Sequence, residues 1–99
     1  MKVIEVNHPL IKHKLTVLRD KNTDPKEFRE VVEEITLLLG YKATEDLMLE
    51  QIPVETPLEK TIGHKIRDEI TLIPILRSGM GVVSPLLKII PDASVFHFG

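Results

Sequence analysis

The sequence has no cysteine and no tryptophan, and only one tyrosine and three phenylalanines among its 99 residues. Without cysteine there is no disulfide scaffold, no thiol nucleophile, and no Cys-based zinc or iron–sulfur site. A chain of this size with no such staple takes its stability from packing or from partners. The few aromatics (Phe28, Tyr41, Phe96 and Phe98) do not alternate with basic residues, which argues against a stacking platform for single-stranded nucleic acid. An excess of one charge is also missing. Thirteen basic against fifteen acidic side chains leave -2, so broad capture of a polyanion such as nucleic acid is disfavoured, while one local basic site stays open. No apolar run is long enough to span a bilayer, and Met1–Val6 does not resemble a signal peptide. The expectation is a soluble cytoplasmic protein with no membrane partner.

What is present reads as globular: 42% apolar and 28% charged residues. The length allows one domain, or part of one, with a modest core. The charges are unevenly spread. Residues 1–50 hold 8 basic and 10 acidic side chains, whereas from Ile70 to Gly99 only Arg77, Lys88 and Asp92 are charged. The first half therefore reads as a wetted helical layer and the last part as the start of a buried sheet.

Val3–Val6 is a strand candidate. Pro9 suits a first helical position, and Ile11, Leu15 and Leu18 make one apolar face of a helix ending near Asp20. A second helix is announced by Asp24 as cap, Pro25 in the first turn and Glu27 three residues after the cap. Phe28, Val31, Val32, Ile35, Leu38 and Leu39 follow its period, and Ala43 and Leu47 extend it past a weak point at Gly40. Ile52, Val54 and Thr56 alternate with Pro53, Glu55 and Pro57 as an irregular or edge strand. Thr61–Arg67 is a further short strand. Ile70–Leu76 is the strongest strand signal, with the character of a sheet covered on both faces. Arg77–Gly81 reads as a loop, Val82–Ile90 as a helix with Pro85 in its first turn, and Ala93–Phe98 as a strand. This order is a βαβ unit. The division expected is a single partial domain over 1–99: a helical layer at 1–50, edge strands at 51–69, and the first βαβ unit of a parallel sheet at 70–99. A parallel unit needs neighbours, so the chain is expected to be a fragment, or a short relative completed by a partner.

Ligands of open α/β sheets bind beyond the carboxyl ends of the strands. Leu76-Arg77-Ser78-Gly79-Met80-Gly81 holds that position. Glycines there let the backbone approach an oxyanion, Arg77 adds a permanent charge and a fork suited to phosphate, and Ser78 adds a donor. The other reading is a plain strand-to-helix turn with Arg77 solvated or ion-paired. The pattern is neither a dinucleotide fingerprint nor a Walker A loop. His8, His13, His64 and His97 show no metal-ligand spacing and read as structural or surface residues. His97 is the one nearest a strand's carboxyl end. Glu33-Glu34 reads as a wetted face, since adjacent helix residues point in different directions. Asp68-Glu69 reads as a turn, Lys12, Lys14, Arg19, Lys21 and Lys26 as a solvated strip, and the phenylalanines as core. No side chain earns a catalytic or metal-ligating assignment.

Taken in order, these segments resemble the uracil phosphoribosyltransferases. Asn7-His8-Pro9-Leu10-Ile11-Lys12-His13-Lys14-Leu15-Thr16 with Leu18-Arg19-Asp20 is similar to the family's opening, as is Phe28-Arg29 through to Leu38. Val54-Glu55-Thr56-Pro57-Leu58 resembles the strand after its first helices, Ile73–Gly81 its pyrophosphate loop, and Ile89-Ile90-Pro91-Asp92-Ala93 its next helix exit. The resemblance spans essentially the whole chain and matches the N-terminal half of the family sequence. It implies an α/β fold, the N-terminal portion of a type I phosphoribosyltransferase, with two helices followed by the start of a parallel sheet.

It also implies a transferase of pyrimidine salvage. This glycosyltransferase moves phosphoribosyl from 5-phosphoribosyl-1-pyrophosphate to uracil, giving UMP and pyrophosphate. Mg²⁺ would ride on the substrate phosphates. Arg77, Ser78 and Gly79 would contact the pyrophosphate. A homo-oligomer is implied, with GTP as an effector in some members. Two positions depart from the family pattern: Ser78 stands for the commoner Ala, and Ser84-Pro85 for Asp-Gly. The second arginine segment, the acidic Thr-Gly loop and the uracil-recognising region have no counterpart in these residues. The chain alone is therefore expected to be inactive. The alternative is a non-catalytic relative acting as a dimerising or regulatory module. A phosphoribosyltransferase-fold regulator of nucleotides or RNA is a third reading, disfavoured by the charge and the missing stacking aromatics.

Overall fold

The computed structural model describes residues 3–74 and 80–96. Helix α1 spans Pro9–Arg19. Pro9 sets the first helical turn, and the extended His8 before it accepts the Leu10 N–H on Nδ1 at 3.1 Å. Helix α2 spans Pro25–Ala43 and starts as its signals require: Asp24 Oδ1 accepts the Glu27 N–H at 2.8 Å. α2 packs on α1, and Ile11, Val31 and Ile35 are buried, as are Pro74 and Pro85 further along the chain.

Gly40 does not weaken α2 visibly. It is buried in a close approach to helix α3, Met80–Ile89, where an added Cβ would stand 2.5 Å from Leu86 Cδ2. A mid-helix glycine costs about 1 kcal/mol against alanine, and the tight seat for α3 is what that cost accompanies. The helix does not reach Leu47. It stops at Thr44, whose hydroxyl donates to the Gly40 carbonyl at 2.9 Å, and 44–46 form a turn. Short polar side chains compete for the backbone bonds that would have extended it.

Strands β1, Leu49–Glu55, and β2, Lys60–Ile66, pair as an antiparallel ribbon with Glu50 opposite Lys65 and Glu55 opposite Lys60. Thr56 closes the turn, its N–H and hydroxyl both donating to the Glu59 carbonyl, at 2.8 and 2.7 Å. β1 thus begins two residues before the expected edge-strand region. Strands β3, Thr71–Leu72, and β4, Ser94–Val95, run parallel on either side of α3 in sequence. The βαβ order is as expected, but the ladder is shorter than the sequence suggested. Ile73 and Pro74 lie outside it, Ile73 is exposed, and residues 75–76 and 97–98 of the expected strands lie outside the described residues.

Four further expectations change. Val3–Val6 forms no strand, having no ladder partner among the described residues. α3 begins at Met80 and not Val82, so Pro85 sits inside the helix, where it removes one N–H from the helical ladder. Met80 and Gly81 are therefore helical, not loop. Phe28 and Phe96 are 45% and 56% exposed, not core. The reason is shape: the radius of gyration is 17.0 Å, against about 13 Å for a compact chain of this length, so few side chains find cover on all sides.

Replacing Asp24 with alanine is expected to lower stability by about 1 kcal/mol, with Asp24→Ser close to wild type. Urea midpoints at unchanged slope measure it. Equal midpoints for Ala and wild type would remove the cap from the account.

Candidate functional site

The polarity of the βαβ unit decides where a ligand can meet it. β3 ends at Leu72 and α3 begins at Met80, so residues 73–79 connect a strand's carboxyl end to a helix's amino end. Chains of this topology bind anions at that connection, where helix N–H groups and their dipole converge. The candidate residues Arg77, Ser78 and Gly79 belong to this connection by sequence but lie outside the described residues, as does His97. Of the glycines named with them, Gly81 is described. It is exposed on the first turn of α3, and an added Cβ would meet nothing within 4 Å.

Two hollows flank α3. The larger, about 620 Å³, lies at the other end of the unit, between Glu69 and Ile70 before β3 and the Ile89–Ser94 stretch that leads from α3 into β4. It is at the amino ends of the parallel strands. The smaller, about 560 Å³, is lined by Phe28, Arg29, Val32 and Glu33 of α2 and Gly81, Ser84 and Pro85 of α3. It lies beside the amino half of α3.

The acidic pair on α2 has a structural use. Glu33 Oε1 accepts from Lys88 Nζ on α3 at 2.6 Å, and Glu34 Oε1 accepts from Lys14 Nζ on α1 at 2.9 Å. Both carboxylates remain substantially exposed, so the wetted-face reading holds in part, and their opposite aims follow from adjacent helical positions. Lys14 thereby leaves the solvated strip, while Lys12, Arg19, Lys21 and Lys26 stay exposed. Asp68 accepts the Met48 N–H at 3.0 Å at the base of the ribbon, in keeping with its turn reading. His13 and His64 are exposed, and His8 serves as a cap.

Sequence reasoning missed the His8 cap, the Gly40 seat and both interhelical ion pairs. Only Gly40 carried a signal, as an isolated glycine inside a helical pattern. Among the described residues, no three His, Asp or Glu side chains gather as metal ligands. No described helix is long and apolar enough to cross a membrane.

The sequence matches the uracil phosphoribosyltransferase family over residues 5–99. The chain belongs to that family. It is 54% identical over 100 residues to a uracil phosphoribosyltransferase of Thermosipho melanesiensis, covering 100% of this chain and 48% of that protein. A uracil phosphoribosyltransferase of Fervidobacterium nodosum is 57% identical over 95 residues, covering 95% of this chain and 46% of its own length. Among solved structures, the AQ2163 protein from Aquifex aeolicus superposes with a TM-score of 0.87 at 33% identity, over 97% of this chain and 47% of that one. The fold is the N-terminal portion of the type I phosphoribosyltransferase α/β architecture, and the chain spans about half the length of the curated relatives it matches.

Exposed ion pairs contribute at most about 1 kcal/mol, and the Glu33–Lys88 pair is exposed on both sides. Lys88→Gln is accordingly expected to shift the urea midpoint slightly at low salt and not at high salt. A large, salt-independent loss would mean that Lys88 carries packing weight.

Proposed function

We propose that this chain provides the pyrophosphate-binding part of a uracil phosphoribosyltransferase. The reaction is transfer of the phosphoribosyl group from 5-phosphoribosyl-1-pyrophosphate to uracil, giving UMP and pyrophosphate. The observation that carries the reading is the parallel β3–α3–β4 unit, with Arg77-Ser78-Gly79 in the connection from strand to helix. In the transfer, the bond from ribose C1′ to the pyrophosphate oxygen breaks, a bond from C1′ to a uracil nitrogen forms, and that nitrogen releases its proton. Charge accumulates on the departing pyrophosphate. The Arg77 guanidinium would stabilise it, with the Ser78 hydroxyl and the backbone N–H groups of Ser78 and Gly79 as further donors. Mg²⁺ belongs to this reading as a companion of the phosphates. So do uracil as acceptor, a homo-oligomer, GTP as an effector, and a cytoplasmic location.

A second reading has its own support. The ribbon is exposed on both faces, with Leu58, Ile62 and Ile66 open to solvent, and few apolar side chains are buried. This is the surface of a chain that associates, and it suits a non-catalytic dimerising or regulatory module of the same family.

Calorimetric titration with pyrophosphate and with 5-phosphoribosyl-1-pyrophosphate, each with and without Mg²⁺, separates the two. Saturable binding is expected for the wild type and is expected to vanish in Arg77→Ala at unchanged helix content. Binding by neither ligand in a folded sample would leave the associating module. The 99-residue chain is expected to form no UMP above the Arg77→Ala background, and steady-state turnover would show that it holds more of the site than proposed here.

A further inference from the structure

The β1–β2 ribbon has two outer edges, and they differ. The Arg67 N–H donates to the Met48 carbonyl at the base, and the Thr56 N–H donates to the Glu59 carbonyl at the tip. Backbone groups alternate in direction along a strand, so the even-numbered residues of β1 and the odd-numbered residues of β2 bond across the ribbon. Pro53 therefore stands where β1 faces outward, and it has no N–H to offer there. On β2 the outward positions are Lys60, Ile62, His64 and Ile66, none of them proline. Among the described residues, nothing pairs with that edge. A two-stranded ribbon is marginal by itself, and an open edge is a template for a further strand.

We propose that the outer edge of β2 pairs with β2 of a second copy of this chain, antiparallel and about a twofold axis at His64. The inference rests on the associating reading above and names its surface and register. Centred on His64, the pairing sets Ile62 opposite the second copy's Ile66. Both isoleucines are exposed and share a face with exposed Leu49, so the new cross-strand pairs cover apolar surface. The same register sets Lys60 opposite the second copy's Asp68, charges of opposite sign. An axis at Lys65 would instead set two lysines against each other. Carried further, the register brings the second copy's Leu58 beside Ile70. Leu58 is 95% exposed at the ribbon tip, and Ile70 borders the hollow of about 620 Å³, whose lining includes Ile66, Ile89 and Ile90. The facing tip thus supplies that hollow with an apolar occupant, twice per dimer. Such a pairing closes after two chains. The four-stranded sheet it makes is bounded on both sides by β1 and its Pro53, which discourages further strands.

The 99-residue chain has no cysteine, so single introduced cysteines report the register. Opposed residues of a hydrogen-bonded antiparallel pair have Cα atoms about 5.5 Å apart, within reach of a disulfide. His64→Cys is therefore expected to give a covalent dimer under mild oxidation. Ile62→Cys and Ile66→Cys are expected not to, since each would lie about 14 Å along the strands from its own copy. Sedimentation equilibrium supplies the second readout. Leu58→Ser, a change at an exposed tip, is expected to keep helix content and to weaken dimerisation about tenfold, because the dimer loses the burial of its leucines. A dimer that does not crosslink at position 64, that crosslinks equally at 62 or 66, or that keeps its affinity in Leu58→Ser overturns the inference while the associating reading stands. A wild-type chain that stays monomeric at every concentration fails both. The pyrophosphate reading is tested separately by its own titration.

Discussion

Two helices approach closely only where one of them gives up a side chain, and in this fold that place is Gly40. The arrangement of α2 follows from it. α1 covers one side of α2 through Ile11, Val31 and Ile35, and α3 covers another through Leu86 and Ile89. Glu33 and Glu34, one residue apart, divide between the two neighbours because successive helical positions point about 100° apart. The ion pairs add direction more than strength, since exposed charges are screened and entropically expensive to hold. Burial at the α1–α2 contact and the close approach at Gly40 hold α1 and α3 against α2.

That unit has a polarity, and the polarity assigns its two ends different chemistry. One end joins β3 to the amino terminus of α3, where the helix dipole favours negative charge. The other end joins α3 to β4 through Pro91-Asp92, and there the larger hollow sits. Volume alone would point to that end, opposite the one where the site is proposed. The proposal made here follows backbone direction and takes the connection that carries Arg77.

Local rules were legible wherever a residue acts on its own turn. Asp24, Pro25 and Glu27 mark the start of α2 because capping needs only neighbours in sequence. The βαβ order was legible for the same reason: an uncharged, β-branched stretch, a glycine-containing link and an apolar helix follow one another directly. Contacts between elements were not legible. Nothing local says that Glu33 meets Lys88, or that Gly40 faces Leu86, 46 positions later. Exposure was misjudged at Phe28 and Phe96 because hydrophobicity alone does not say whether an element has a neighbour to cover it. The extent of β3 was overestimated for a related reason. β propensity describes fitness for a pleated surface, while a strand exists only as far as its partner pairs with it. The candidate site itself rests on sequence, since Arg77, Ser78 and Gly79 lie outside the described residues.

The β1–β2 ribbon is wet on both faces, so hydrophobic burial does little to hold its alignment, which normally depends on one face being covered. Its two ends are tied instead: the Thr56 turn at the tip, and at the base the Met48 N–H donated to Asp68 and the Arg67 N–H donated to the Met48 carbonyl. A slip of one residue would undo both of these ends and turn every side chain of the slipped strand to the opposite face.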